Sequence, residues 1–387
     1  MGWKACRLRT WCCLLLAVLY SHTCFAAEHG LQPDAQAPGA LRIAYVEGGL
    51  SVDYGLVFKE FVRELGNRGR VQIQGAPFSS DVADNRELWD WLSRFSDNTT
   101  LHFLGDGYYS AGWDRAKRAE NKKALLERIR SRKDVDLILA FGTWAGQDFA
   151  TDEHSVPVLV PASNDPVHSG IIASAEDSGR EHVAALFDPD RTRRQISLFH
   201  SIFRFKRLGV AYEDTPGGRA RANLADLEKM AAKLGFSLIG CTGEVYSPDR
   251  LVAEEALLAC HRRLAERVDA MFLTQSSGLN PACIQTMLQP FIDAQIPTFS
   301  QEGAREVSLG VLLSIAQRSY ADIGKIAANH VLEIMRGTKP RDLLQTFATT
   351  LDIAVNMRMA MLIGWDPPLG VLAAVDEIYQ EVRNAKE

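Results

Sequence analysis

The chain predicts an α/β fold in two successive Rossmann-like lobes, each with a parallel sheet, on three observations. Apolar runs of strand length alternate with segments of helical periodicity, glycines stand where the apolar runs end, and the whole alternation restarts near residue 207. Strands that alternate with helices are joined by crossovers and therefore run parallel. A chain of 387 residues also exceeds what a single hydrophobic core comfortably fills.

The first run opens with an apolar strand at 41–46, followed by Gly48, Gly49 and Ser51 and then by Tyr54, Phe58, Phe61, Val62 and Leu65 at helical spacing. Further strands are expected at 71–75, 101–104 and 135–141, with helices at 86–95 and 117–130 between them. The strand at 135–141 runs without polar interruption into Gly142, Thr143, Trp144 and Ala145, and a second apolar strand at 156–160 empties into Ser163, Asn164, Asp165 and Pro166. Mixed composition at 171–190 reads as a crossing segment. The second run has strands at 207–212, 236–240, 268–274 and 296–300, helices at 220–234 and 250–267, and a turn at Gly217 and Gly218.

Residues 1–26 read as a cleavable secretory signal, because Lys4, Arg7 and Arg9 precede an apolar run at 11–20 with Ala26 and Ala27 beyond it. That run is far shorter than the roughly 20 residues a spanning helix needs. Ser21, His22 and Thr23 make a poor lipobox before Cys24, so a soluble exported protein is expected. Removing the leader takes the net charge from -5 to about -8, which argues against nucleic acid as a partner. Cys241, Cys260 and Cys283 remain and read as buried thiols, with one disulfide as the alternative. The scattered histidines give no metal site.

The stretches VDLILAFGTWAGQDFA, VPVLVPASNDPVHSGII, RLGVAYED, VDAMFLTQSS and IPTFSQEG, with GVLLSIAQRSYADIGKIAANHVLEIMRGTKPRD and VNMRMAMLIGWDPP, together resemble the ABC-transporter substrate-binding proteins of the tryptophan/tyrosine-binding type. The resemblance covers most of the chain after the leader. It implies the type I periplasmic binding-protein architecture, with two lobes joined by a multi-strand hinge: 41–170 with 305–340 as the first lobe, and 171–304 with 341–387 as the second. The helix bearing Ile323, Ala327 and Val331 resembles the family element that crosses back. The resemblance further implies a monomer in the periplasm, with one small-molecule ligand in an interlobe cleft and an ABC permease in the inner membrane as partner. Relatives often carry Pro where this chain has Trp144 and Thr where it has Asn164.

In open α/β sheets the carboxyl ends of the strands receive ligands. Gly49, Ser51, Thr143, Trp144, Ala145, Ser163, Asn164 and Asp165 are the first-lobe candidates, and Tyr212, Glu213, Thr215, Gln275, Ser276, Gln301 and Glu302 those of the second. For an amino-acid-like ligand, helix-start N–H groups would take the carboxylate. Asp165 or Glu213 would face the ammonium, and Trp144 or Tyr212 would stack the side chain. Asp165 equally suits an Asx turn before Pro166. Glu302 and Asp165 resemble a carboxylate pair, and Trp89, Trp91, Tyr108, Tyr109 and Trp113 form an aromatic-rich segment that either lids a pocket or packs an extra helix.

No G-x-S-x-G elbow, P-loop, H-E-x-x-H or G-x-G-x-x-G fingerprint is present, so neither catalysis nor a cofactor is expected. A secreted α/β hydrolase is the enzymatic alternative, and a receptor subunit for a membrane signalling protein is the non-enzymatic one. A bilobal repressor would need a helix-turn-helix where this chain has its leader.

Overall fold

β1 (Leu41–Glu47) begins a five-stranded sheet, and its apolar residues are buried on both faces, as a covered parallel sheet requires. The computed structural model describes residues 40–78, 84–95, 100–317, 320–348 and 351–383; the leader at 1–26 and a glycosylation sequon at Asn98, expected to be unused, lie outside them. After β1 come α1 (Val52–Asn67), α2 (Arg86–Phe95), β2 (Leu101–Ser110), α3 (Arg115–Ser131), β3 (Leu137–Phe141), α4 (Gly142–Phe149), β4 (Val158–Val160) and β5 (Val183–Ala185). The sheet order is β2-β1-β3-β4-β5, parallel throughout. One face packs Tyr45, Phe58, Trp89, Phe103 and Phe141, the other Val46, Leu125, Ile138 and Phe149.

The strand expected at 71–75 does not form, because Gly69 and Gly75 take positive φ (65° and 84°) and turn the chain there. Trp89 fills the core of α2, donating its indole N–H to the Leu104 carbonyl at 2.9 Å, so for this residue the aromatic-rich segment is a packed helix. β2 runs past the expected end at 104 to Ser110, with a register shift between Ile43 and Tyr45 that brings Tyr108 opposite Tyr45.

α5 (Arg191–Phe203) leads into the second sheet. It contains β6 (Arg207–Tyr212), β7 (Ser237–Thr242), β8 (Ala270–Leu273), β9 (Thr298–Ser300), β10 (Leu313–Gln317), β11 (Leu351–Asn356) and β12 (Glu377–Tyr379) in the order β12-β11-β10-β9-β8-β6-β7. All neighbours are parallel except β10 and β11. Its helices are α6 (Pro216–Arg221), α7 (Leu224–Leu234), α8 (Arg250–Ala265), α9 (Ile284–Asp293), α10 (Ala304–Ser308), α12 (Met357–Leu362) and α13 (Leu369–Leu372); α11 (Tyr320–Met335) returns to the first lobe.

Three sequence expectations shift. The single helix at 220–234 is two, broken where Asn223 adopts left-handed φ of 48°. Cys241 of β7 and Cys260 of α8 form a disulfide, which leaves Cys283 free. The first sheet also continues past 170, and among the described residues no strand after 305 returns to it. β5, a short Val-Ala-Ala strand that runs on into Leu186 and Phe187, belongs to the first sheet, and β10 belongs to the second. α11 crosses back, docking on α1 so closely that a Cβ on Gly324 would stand 2.7 Å from the Phe61 nitrogen, and the chain at 340–347 stays with the first lobe, where the Phe187 N–H donates to the Gln345 carbonyl.

Candidate functional site

The carboxyl ends of both sheets face each other across a cleft. α4 starts directly from β3 because Gly142 accepts φ of 82° and lets the Tyr54 phenol come close; a Cβ there would overlap it at 1.8 Å. Thr143 Oγ1 then meets Ser163 Oγ at 3.4 Å, tying two strand ends together. Gly48 and Gly49 leave room for the Trp113 ring, which a Cβ at either position would meet at 2.8 and 2.7 Å. Trp113 has a φ of 64°, a costly conformation for a residue with a side chain, and it holds its ring 5.7 Å from Trp144 and 5.6 Å from Tyr246 of the facing lobe.

The second lobe answers with α6. Thr215 caps this helix, accepting from the Gly218 N–H at 3.0 Å. Gly218 is required because a Cβ would stand 2.2 Å from the Glu213 carbonyl. The turn delivers Arg221, which is only 2% exposed, into the cleft. Its guanidinium lies 3.8 Å over the Tyr246 ring and pairs with Glu213 at 3.1 Å, and Glu213 also pairs with Arg115 of the first lobe. The Arg221 carbonyl accepts from Asn164 Nδ2 of the first lobe (3.2 Å) and from Gln301 Nε2 of the second (3.0 Å).

Nearer the hinge the lobes enclose about 40 Å³ among Asp53, Tyr54, Thr143, Ser163, Asn164 and Gln275. That is room for a few waters, and a second space of about 480 Å³ lies further out between Trp113 and Arg115 of the first lobe and Glu213 and Tyr246 of the second. Beside the inner space burial pushes the Glu302 carboxyl well above its usual range, and Asp53 reinforces the shift.

Several candidates take other roles. Glu302 thus faces Asp53 rather than Asp165. Asp165 accepts from the His168 N–H three residues on at 3.0 Å and pairs with the His168 ring at 2.8 Å, so its carboxylate closes the local turn. Tyr212 lies against Gly240 of β7 and under Arg219. Ser276 donates to the Val245 carbonyl at 2.8 Å and accepts from the Gly278 N–H, shaping its turn. Gln275 lines the cavity, and its N–H donates to Gln301 Oε1 at 3.1 Å. Ser51 precedes α1 without capping it through its side chain, and Gly49 and Ala145 contribute backbone and closeness only.

Sequence reasoning missed Asp53, Tyr54, Arg221 and Tyr246, and it held Trp113 only as part of the aromatic-rich segment. The double glycine before Arg221 was the available signal, since a turn that tight aims whatever follows it. Among the described residues, no three or more His, Cys, Asp or Glu side chains gather to hold a metal ion. No described helix is long and apolar enough to cross a membrane.

A family model described as ABC transporter substrate binding protein matches residues 108–373. No curated protein sequence matches the chain. Among solved structures, a conserved domain protein from Vibrio cholerae is similar at a TM-score of 0.67 and 20% identity, covering 88% of this chain and 99% of the other. An ABC domain in complex with L-Trp from Streptococcus pneumonia is similar at 0.66 and 17%, with 88% and 100% covered. The ligand-free, open substrate-binding protein CD0873 from Clostridium difficile is similar at 0.56 and 17%, with the same coverage.

Proposed function

Because the chain belongs to the ABC transporter substrate-binding protein family, we propose that it captures one small amino-acid-like molecule between its lobes and presents it to an ABC permease in the inner membrane. Its site is the periplasm, its mechanism is hinge closure, and it carries out no chemistry on the solute. The observation that carries this reading is the set of contacts made across the cleft by cleft-facing groups: Asn164 to the Arg221 carbonyl, Arg115 to Glu213, and Trp113 to Tyr246. Each joins residues of the loops and short helices that follow strands of different sheets, so a solute placed there touches both lobes. A solute that binds the closed state better than the open one shifts the population toward closure, by as much as that difference allows. The similar fold solved with L-Trp supports an amino-acid-like ligand with an aromatic side chain.

Two measurements test the reading. Native mass spectrometry of protein purified without denaturation should reveal a retained solute. Spin labels on Lys117 of the first lobe and Arg250 of the second, both exposed, should change their distance distribution when that solute is removed and restored. A distribution that stays the same in both states would rule out hinge closure.

A further inference from the structure

We propose that the outer interlobe space binds an organic cation, so that the solute bears a net positive charge. The inference rests on the interlobe reading above and adds a charge that a zwitterion such as tryptophan lacks. The space measures about 480 Å³, the size of a small organic molecule. Acids from both lobes line it, Asp114 from the first and Glu213, Asp214 and Glu244 from the second. Among the described residues, Arg115 is the one cationic side chain in that lining. Two of the acids are answered within the protein: Glu213 pairs with Arg115 and Arg221, and Asp214 pairs with Arg219 at 3.0 Å. The other two are not. Asp114 caps α3 by accepting from the Lys117 N–H at 2.9 Å, and among the described residues neither it nor Glu244 forms an ion pair. Closure therefore brings carboxylates of opposite lobes around one space, and like charges there oppose it. A cation lodged among them reverses the sign of that interaction, so it binds the closed state better than the open one.

The protein's own side chains show what this region accepts. Arg115, with its side chain 66% exposed, reaches from the first lobe to Glu213 of the second, so a displaceable cation already bridges the lobes there. The Tyr246 ring takes a second cation, the Arg221 guanidinium, 3.8 Å from its centroid. Trp113 adds another aromatic wall, its ring 5.6 Å from that of Tyr246. Aromatic faces attract cations through their quadrupole, most strongly at Trp, and the attraction adds to that of the carboxylates. The acids stand around the space rather than converging on a point: among the described residues no three His, Cys, Asp or Glu side chains gather to hold a metal ion. A charge carried on an organic frame fits that spacing, and an anion would face three acids on the second-lobe side alone.

Calorimetric titrations with pairs alike in shape and unlike in charge decide it: L-tryptophan amide against L-tryptophan and L-lysine against L-norleucine, with cadaverine and calcium beside them. In at least one pair the cationic member should bind about tenfold or more tightly than its neutral partner, and the advantage should shrink as salt rises. Glu244→Gln, and Asp114→Asn, which keeps the cap of α3, should each weaken that cation about threefold and leave the neutral partner within about twofold. Arg115→Ala, which withdraws the competing guanidinium, should strengthen it. The melting temperature of each ligand-free variant, within about two degrees of the wild type, checks that these exposed changes leave the fold intact. Neutral members binding as tightly as cations in both pairs, cation affinity untouched by both charge removals, or no cation binding at all overturns the assignment. Calcium binding as tightly as the amines, with the same dependence on Asp114 and Glu244, overturns its organic part. The interlobe reading is read separately, from the Lys117 and Arg250 spin labels: a cation that binds without moving them overturns that reading, whereas labels moved by a neutral solute leave it standing when the cation assignment has failed.

Discussion

The two lobes bring unlike chemistry to the cleft they share. The first offers groups that already have partners: the hydroxyls of Thr143 and Ser163 face each other, and the Trp144 ring is covered by the ion-paired Arg118. Its one acid at the end of β1, Glu47, turns into the phenols of Tyr45 (2.7 Å) and Tyr108 (3.1 Å). The second lobe offers charge that is only partly answered, in Arg221 with its unmet donors and in Glu302 forced toward its neutral form. A wall whose groups are satisfied can shape a ligand but gains little polar energy from it. If the solute lies between the lobes, discrimination between solutes is expected from the second lobe, where a buried group would change partners when the ligand arrives.

The hardest blow to this asymmetry is Glu213→Ala. It leaves Arg221 buried without its counter-charge, and removing one partner of a buried pair costs about 3 kcal/mol. Urea unfolding should register that loss, while Arg115→Ala, with its side chain 66% exposed, should change stability by less than about 1 kcal/mol. A cationic ligand should then stabilise Glu213→Ala less than it stabilises the wild type, since the outer space between the lobes has lost an acid. Equal stabilisation of both proteins would mean that the second lobe's charge is structural only.

The same asymmetry explains what the sequence disclosed. Strands such as β3 and β4 are unbroken apolar runs, and the small residues after them stand out, so the first lobe's cleft edge and the parallel architecture were legible. Arg221 was not. An arginine in a helical stretch normally projects into water, and its burial depends on the left-handed Asn223, which ends α6, and on Tyr246 arriving from a loop after β7. Nor was β5 read from the sequence: Val183 to Phe187 is a run of five apolar residues, but it stands between polar turns, in a stretch whose mixed composition reads as a crossing segment rather than as part of the alternation. Trp113 and Trp89 share one aromatic segment in sequence, yet one reaches the cleft and the other the core, a division set by the glycines at 48 and 49 and by the Leu104 carbonyl.

Glu47 tests whether the first lobe is electrically quiet. Burial raises its carboxyl to about 7, against the ordinary 4.5, despite the hydrogen bonds from both phenols. Folding therefore takes up a proton between those values. Its contribution is fully present below pH 4.5 and is lost as pH rises through 7, by about 3 kcal/mol in all. Glu47→Gln should flatten that part of the stability curve measured by urea unfolding from pH 5 to 8, and its stability should exceed the wild type's at pH 8. An unchanged slope would mean that the carboxylate is charged and the wall is not neutral.

Trp113→Gly removes the ring that bridges to Tyr246 but also relieves its positive φ. The two effects offset in folding, so the melting temperature should move by no more than a few degrees. Ligand release, followed by stopped-flow fluorescence with a solute found in the thermal-shift screen, should become about tenfold faster, equivalent to about 1.4 kcal/mol. Unchanged release would remove Trp113 from the mouth of the site and leave the first lobe with a smaller part in holding the solute.

The smallest effect is expected at Asp165. Its carboxylate accepts from the His168 N–H and pairs with the His168 ring, so it is occupied within its own turn. Asn forms the same turn nearly as well, and the side chain of His168 is 45% exposed, which makes the lost charge pair weak. Asp165→Asn should then cost less than about 1 kcal/mol of stability and leave the affinity for an amino-acid ligand within twofold. Had Asp165 been the acceptor for the ligand's ammonium, the same substitution would remove a desolvated charge partner and weaken binding by about 2 kcal/mol or more. Calorimetric titration of this variant separates the two cases, and a loss of that larger size would give the first lobe a polar role equal to that of the second.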